Sequence, residues 1–135
     1  MPASILLKEG PLTPEERTVI ETHPELGEKI LAPIERLAEV RAIVRSCHEH
    51  FDGGGYPDGT AGEVIPVEAR IILVCDAFHA MTTDRPYRDR LEFEEACRRL
   101  RESAGEQFDP TVVGAFLRLA EKRRTENAAP ARLAV

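Results

Sequence analysis

A-R-I-I-L-V-C-D-A-F-H-A-M, residues 69–81, is the stretch on which the fold class turns. Its first half, Ala69-Arg70-Ile71-Ile72-Leu73-Val74, has the aliphatic composition of a buried strand. It flows without a turn signal into Cys75-Asp76-Ala77-Phe78-His79-Ala80-Met81. Val67, Ile71, Val74, Cys75, Phe78 and Met81 then recur at the three- and four-residue spacing of one helix face. Pro66 precedes the run and Pro86 stops it. Convincing period-two alternation is found nowhere in the chain, so the sequence reads as all-α.

The flanks carry the same signature. Upstream, F-D-G-G-G-Y-P-D-G-T-A-G-E-V-I-P (51–66) is too rich in Gly, Pro and Asp for a regular element and is a loop. Before it, Leu37, Val40, Val44, Cys47 and Phe51 form a stripe, predicting a helix over roughly 35–51. Thr13-Pro14-Glu15-Glu16 is a capping box with Pro at the first helical position. Val19, Ile20, His23, Leu26, Gly27 and Ile30 follow it, with Pro24 predicting either two short helices or one kinked helix. Downstream, Phe93, Ala96, Cys97 and Leu100 mark a helix over about 92–104 that stops at Gly105. Asp109-Pro110 starts a last helix carrying Val113, Phe116, Leu117 and Ala120. The segment from about Lys122 is polar, then Ala/Pro-rich, and reads as a frayed tail.

Composition narrows the function. The chain has 135 residues, 42% hydrophobic and 31% charged, as in a globular domain. Aromatics are 5% with no Trp, which leaves little for a base-stacking strand surface. Lys+Arg number 18 against 24 Asp+Glu, a net charge of −6, so a whole-protein grip on DNA is disfavoured. Cys47, Cys75 and Cys97 form no C-x-x-C pair and cannot all pair internally. A reducing compartment, the cytoplasm, is expected. The longest apolar run is far too short to cross a bilayer.

Chemistry concentrates in few places. The densest cluster is Cys47-His48-Glu49-His50-Phe51-Asp52, and imidazole with carboxylate is a common ligand set for Zn, Fe and Mn. His23 and His48 lie on apolar stripes, positions equally suited to buried histidines bonded to backbone. His50 is expected to point to solvent. Asp76 interrupts an apolar run, where a carboxylate needs a partner or an ion. His79 sits one turn beyond it. Arg85 and Arg88 end the third helix, and loop arginines can fork onto phosphate oxygens. Pattern alone ends at an all-α domain with a His/Asp metal site and an anion-binding arginine pair as candidates.

Read together, the segments resemble the HD-GYP family of bacterial metal-dependent phosphohydrolases. The matching text is H-E-H-F-D-G-G-G-Y-P (48–57), G-E-V-I-P-V-E-A-R-I (62–71), V-C-D-A-F-H-A-M-T-T-D-R-P-Y-R (74–88) and A-G-E-Q-F-D-P (104–110), with S-I-L-L-K-E-G-P-L-T-P-E-E and T-H-P-E-L-G upstream. The resemblance implies an HD-domain-like helical bundle holding two or three metal ions, Fe or Mn with Zn as an alternative. It also implies hydrolysis of cyclic di-GMP to the linear dinucleotide or to GMP. It places His23, His48 and Asp76 on metal-ligand positions, and Tyr56, Arg85 and Arg88 on substrate positions, with Gly55 and Pro57 beside Tyr56 in the loop.

Three departures accompany the match. The family's His-Asp pair would lie upstream of Met1, so the chain is expected to be a partial HD-GYP domain over 1–120, truncated at its N-terminus, with a flexible tail over 121–135. Cys47 stands where the family usually has His, and a thiolate there would favour Zn. His79 stands where the family usually has Asp, which makes it a further candidate ligand or a support for Asp76. Loss of the leading helices would uncover the stripes near His23 and Cys47, so self-association is expected. The competing reading is a degenerate module that binds cyclic di-GMP or partner proteins without turnover.

Overall fold

Local signals set most helix boundaries. The Thr13 hydroxyl accepts the Glu16 N–H and the Glu16 carboxylate accepts the Thr13 N–H, which starts α2 (Pro14–Glu21) as the capping box predicts. Lys8 adds an ion pair to Glu16 at 2.5 Å. The computed structural model describes residues 3–6, 8, 10–84 and 89–128, and the single turn α1 (Ala3–Leu6) precedes α2. Thr22 breaks the path and α3 (His23–Leu31) begins with Pro24 in its first turn, so the two-helix alternative is the one adopted. Further on lie α4 (Ala38–Ser46), α5 (Val67–Thr82), α6 (Phe93–Glu102) and α7 (Pro110–Ala128), with short 3-10 turns at Glu35–Leu37 and Gly62–Val64. Among the described residues there is no strand, only an isolated bridge between Ala104 and Phe108. The fold is all-α.

Three expectations are corrected. Helix α4 ends at Ser46, not near Phe51. The Phe51 and Asp52 N–H groups instead donate to the Gln107 and Glu106 carbonyls, at 3.2 and 2.9 Å, and draw the chain into a turn. Helix α7 runs on to Ala128, past the predicted end near Lys122. Lys122 and Glu126 pair at i,i+4. Arg124 pairs with Glu94 of α6 and lies 4.8 Å over the Phe93 ring. Residues 129–135 of the expected tail lie outside the described residues. Finally, the predicted α5 stripe is split: Val74 is buried and Phe78 and Met81 pack against the core, whereas Val67, Ile71 and Cys75 are exposed and Ala69 and Leu73 are buried in their place. The helix is apolar on several sides, and its neighbours rather than its periodicity choose the buried one.

The core joins α5, α6 and α7 through Leu73, Val74, Cys97, Leu100, Phe108, Val113 and Leu117, with Phe78, Phe93 and Phe116 packed edge to face beside them. Asp109 closes it at one end. Its carboxylate accepts the Thr111 N–H at 2.7 Å and the Arg70 guanidinium at 2.5 Å, tying the start of α7 to α5. Arg70 also donates to the Ile65 carbonyl. Helices α3 and α4 pack along each other and α4 leans on α5. Within α2, α3 and α4 only Pro24 is fully buried.

Candidate functional site

His23 is the first residue of α3, directly after the break at Thr22. Its Nδ1–H donates to the Ile20 carbonyl at 2.7 Å, which leaves Nε2 with a free lone pair. His48 stands two residues past the end of α4. Its Nε2 lies 3.0 Å from the His23 Nε2, with the two rings edge to face. Burial pushes the His48 imidazole below its ordinary value, and His23 adds to this while Asp76 opposes it. His48 is therefore neutral near pH 7, and with the His23 Nδ1–H already donating to Ile20, the His48 Nε2–H donates to the His23 Nε2.

Tyr56 completes the face. Its ring stacks on His48 at 5.1 Å between centroids and 14° between planes, and stands 6.4 Å from the His23 ring. Burial raises its phenol, helped by Glu21 and Cys47 and opposed by Arg17, so the hydroxyl keeps its proton. The loop is held by backbone as much as by side chains. The Tyr56 N–H donates to the His48 carbonyl at 3.1 Å, and the Tyr56–Pro57 bond is cis. Gly55 lies against the 48–50 turn. A Cβ there would come 2.6 Å from the Glu49 Cα and closer still to the His50 N and His48 O.

Two loop-holding residues were not anticipated from sequence. Glu49 is 2% exposed, and its two carboxylate oxygens accept the Asp58 and Thr60 N–H groups at 2.7 and 2.9 Å. Arg45 forks onto Asp58 at 2.6 and 2.7 Å and reaches Glu28 of α3 at 2.7 Å. The available signal was the loop itself: a long Gly-rich segment presents N–H groups that need acceptors.

The remaining candidates are placed as follows. Asp76 is exposed, not enclosed in the core, and acts at a distance on His48, Cys47 and Tyr56. The Cys47 thiol donates to the Val44 carbonyl at 3.1 Å, and burial raises it, so it is a protonated thiol at the end of α4. His79 is exposed on α5 and makes no hydrogen bond to Asp76. His50 is half-buried, against the expectation of solvent exposure. Arg85 and Arg88 lie outside the described residues.

The histidine pair fits a divalent ion. Two imidazole nitrogens about 2.1 Å from a metal, at a right angle to each other, are about 3 Å apart, the spacing seen here. The bond from the His23 Nδ1–H to a backbone carbonyl is the usual outer support of a metal-binding imidazole. Among the described residues no group of three or more His, Cys, Asp or Glu side chains is gathered for an ion. What the described residues bring together is two hydrogen-bonded imidazoles with Asp76 at electrostatic range.

A sequence profile of the HD domain matches residues 1–112. A cyclic di-GMP phosphodiesterase response regulator of Xanthomonas campestris pv. campestris is 42% identical over 120 residues, covering 87% of this chain and 32% of that protein. A cyclic di-GMP phosphodiesterase of Thermotoga maritima is 41% identical over 130 residues, 93% of this chain and 34% of that one. A 3'3'-cGAMP-specific phosphodiesterase of Vibrio cholerae is 34% identical over 119 residues, 87% of this chain and 23% of that one. The chain thus spans about a third or less of the length of the curated relatives it matches. A crystal structure of a cyclic GMP-AMP specific phosphodiesterase from V. cholerae superposes with a TM-score of 0.66 at 23% identity, over 90% of this chain and 32% of that one, an agreement of fold. With the H-E-H-F-D-G-G-G-Y-P segment folded into one face that joins His23, His48 and Tyr56, the chain belongs to the HD-domain family and is of the HD-GYP type.

Proposed function

We propose that this chain carries the metal and substrate face of a phosphodiesterase that hydrolyses cyclic di-GMP to the linear dinucleotide or on to GMP. The observation that carries the reading is the Tyr56–His48 stack with His23 edge-on beside it, an aromatic platform next to a pair of imidazole nitrogens 3.0 Å apart. His23 and His48 would hold a divalent ion, iron or manganese by preference, with Asp76 as the charge that favours a cation there. When bound, such an ion supplies Lewis-acid polarisation of a phosphoryl oxygen and an acidified water. The chain's own residues do the rest. The Ile20 carbonyl fixes the His23 tautomer. Tyr56, neutral, offers a ring face to a guanine and a hydroxyl to a phosphate without repelling either. Arg85 and Arg88 would neutralise phosphate oxygens. The three cysteines, all free thiols, suit a reducing compartment such as the cytoplasm.

A second reading, a module that binds cyclic di-GMP or a partner protein without turnover, is favoured by one feature. The Cys47 thiol is engaged with the Val44 carbonyl at a position where the family usually has histidine.

Elemental analysis of protein prepared with iron and manganese supplied, followed by chromatography of cyclic di-GMP incubations, separates the two. One or more ions per chain, lost in His48→Ala, together with linear dinucleotide or GMP as product, is the expected result. Nucleotide binding with no product supports the second reading. A metal-free protein that binds no nucleotide overturns both.

A further inference from the structure

Glu49 is a buried charged side chain in the site that neither holds the proposed ion nor faces the nucleotide. A carboxylate at 2% exposure is stable only with its lone pairs occupied. Here both oxygens are taken by backbone N–H groups of one loop, Asp58 and Thr60. The loop leaves the 48–50 turn, returns to it at the bond from the Tyr56 N–H to the His48 carbonyl, and returns again at Asp58 and Thr60. Tyr56 therefore sits between two anchored points on either side of its own peptide, and its ring is presented flat to His48.

We infer that Glu49 is a positioning residue whose buried carboxylate holds the 56–60 loop so that the Tyr56 ring lies parallel to His48. The Arg45–Asp58 fork is a second tie at the surface, but it reaches only the Asp58 side chain and makes no bond to the backbone of residues 56–60. Glutamine is the informative replacement. It has nearly the same shape, but its amide NH2 would face a backbone N–H, leaving one donor unpaired in a dry place. The inference rests on the proposed function only for its consequence on nucleotide affinity. The position of the ring is a property of the chain alone.

The test uses the full chain and reads four quantities in Glu49→Gln. These are amide exchange at Asp58 and Thr60, the ring-current shift of the Tyr56 protons by His48, manganese bound per chain, and affinity for cyclic di-GMP. Exchange is expected to quicken about tenfold, the equivalent of one lost buried hydrogen bond. The ring-current shift is expected to collapse, affinity for cyclic di-GMP to fall by about the same factor, and manganese binding to stay within about twofold. Asp58→Asn keeps both Glu49 oxygens occupied and removes only the surface fork, so it is expected to retain the Tyr56 shift. An unchanged shift and unchanged exchange in Glu49→Gln overturns the inference, and so does release of the ring by Asp58→Asn alone. Wild-type protein that binds no cyclic di-GMP sinks the functional reading, while exchange and ring shift still decide the role of Glu49. Should Glu49→Gln fail to fold, Glu49→Asp, too short to reach both amides, is read in its place, and an unchanged Tyr56 shift there overturns the inference.

Discussion

Helices α5, α6 and α7 close around Leu73, Val74, Leu100, Phe108, Val113 and Leu117, and Leu100 and Val74 have no exposed surface. Helices α3 and α4 have the same apolar spacing in sequence but leave Leu26 and Val40 more than 40% exposed and Ile30 75% exposed. The histidine pair belongs to this second, thinly packed region. What holds it is polar and directional: Lys8 to Glu16, Arg45 to Glu28 and Asp58, Glu49 to two amides, and His23 to the Ile20 carbonyl. One half supplies stability through dispersion and dehydration, the other supplies geometry through hydrogen bonds. The proposed site thus lies in the half with the smaller cohesive energy, supported by the half with the larger.

If this division is right, the largest effects arise in the packed half. Leu100→Ala is expected to lose about 3 kcal/mol in urea unfolding, from transfer and cavity together. Asp109→Ala, which breaks the buried pair with Arg70 and the α7 cap, is expected to lose about as much. Asp109 also gives a pH signature. Burial pushes its carboxyl up, but the Thr111 N–H, the Arg70 guanidinium and the Val112 N–H together hold it below the ordinary aspartate value of 3.8. A depressed carboxyl contributes stability that is present above that value and is lost as pH falls through the folded value. Stability in acid titrations is therefore expected to drop below about pH 4, and Asp109→Asn to flatten that drop.

The next effect is in the loop. Gly55→Ala forces a Cβ into the 48–50 turn, with an expected loss of about 2 kcal/mol and a much larger loss of cyclic di-GMP affinity by calorimetry. Loss of stability without loss of affinity would count against the loop as the nucleotide platform. Smaller again is Ile30→Ser, expected within about 0.5 kcal/mol of wild type in the same unfolding assay. Its informative reading is sedimentation velocity, where weaker self-association is expected. A wild-type chain that is monomeric at high concentration breaks the comparison, because the exposed α3 and α4 faces would then need no cover.

Sequence reading reached different depths in the two halves for a physical reason. The α6 stripe of Phe93, Ala96, Cys97 and Leu100 was legible because its opposite face is densely charged, and only one orientation dehydrates it. The capping box at Thr13 was legible because its two hydrogen bonds are local. Helix α5 defeats periodicity: with apolar residues on several sides, the side turned inward depends on α6 and α7, and Asp76, which interrupts the apolar run in the sequence, is exposed in the fold. The end of α4 was missed because a long-range bond from Phe51 to Gln107 overrides the stripe. At the site, the meeting of His23 and His48 across 25 positions was reached by resemblance rather than from spacing. Glu49 was passed over because nothing in a string of letters distinguishes a ligand carboxylate from one that serves backbone amides.

The run Gly53-Gly54-Gly55 is repetitive as text, yet each position is constrained differently. Gly53 sits at φ +87°, which side chains with a Cβ rarely adopt. At Gly54 an added Cβ would press only on the Asp52 side chain, at 3.1 Å, and not on backbone. Gly55 faces immovable backbone. Under random mutagenesis with selection for a working loop, alanine and serine are expected to accumulate at 54, to be scarce at 53 and to vanish at 55. The triplet is thus a graded record of tolerance in which the middle letter is the one free to drift.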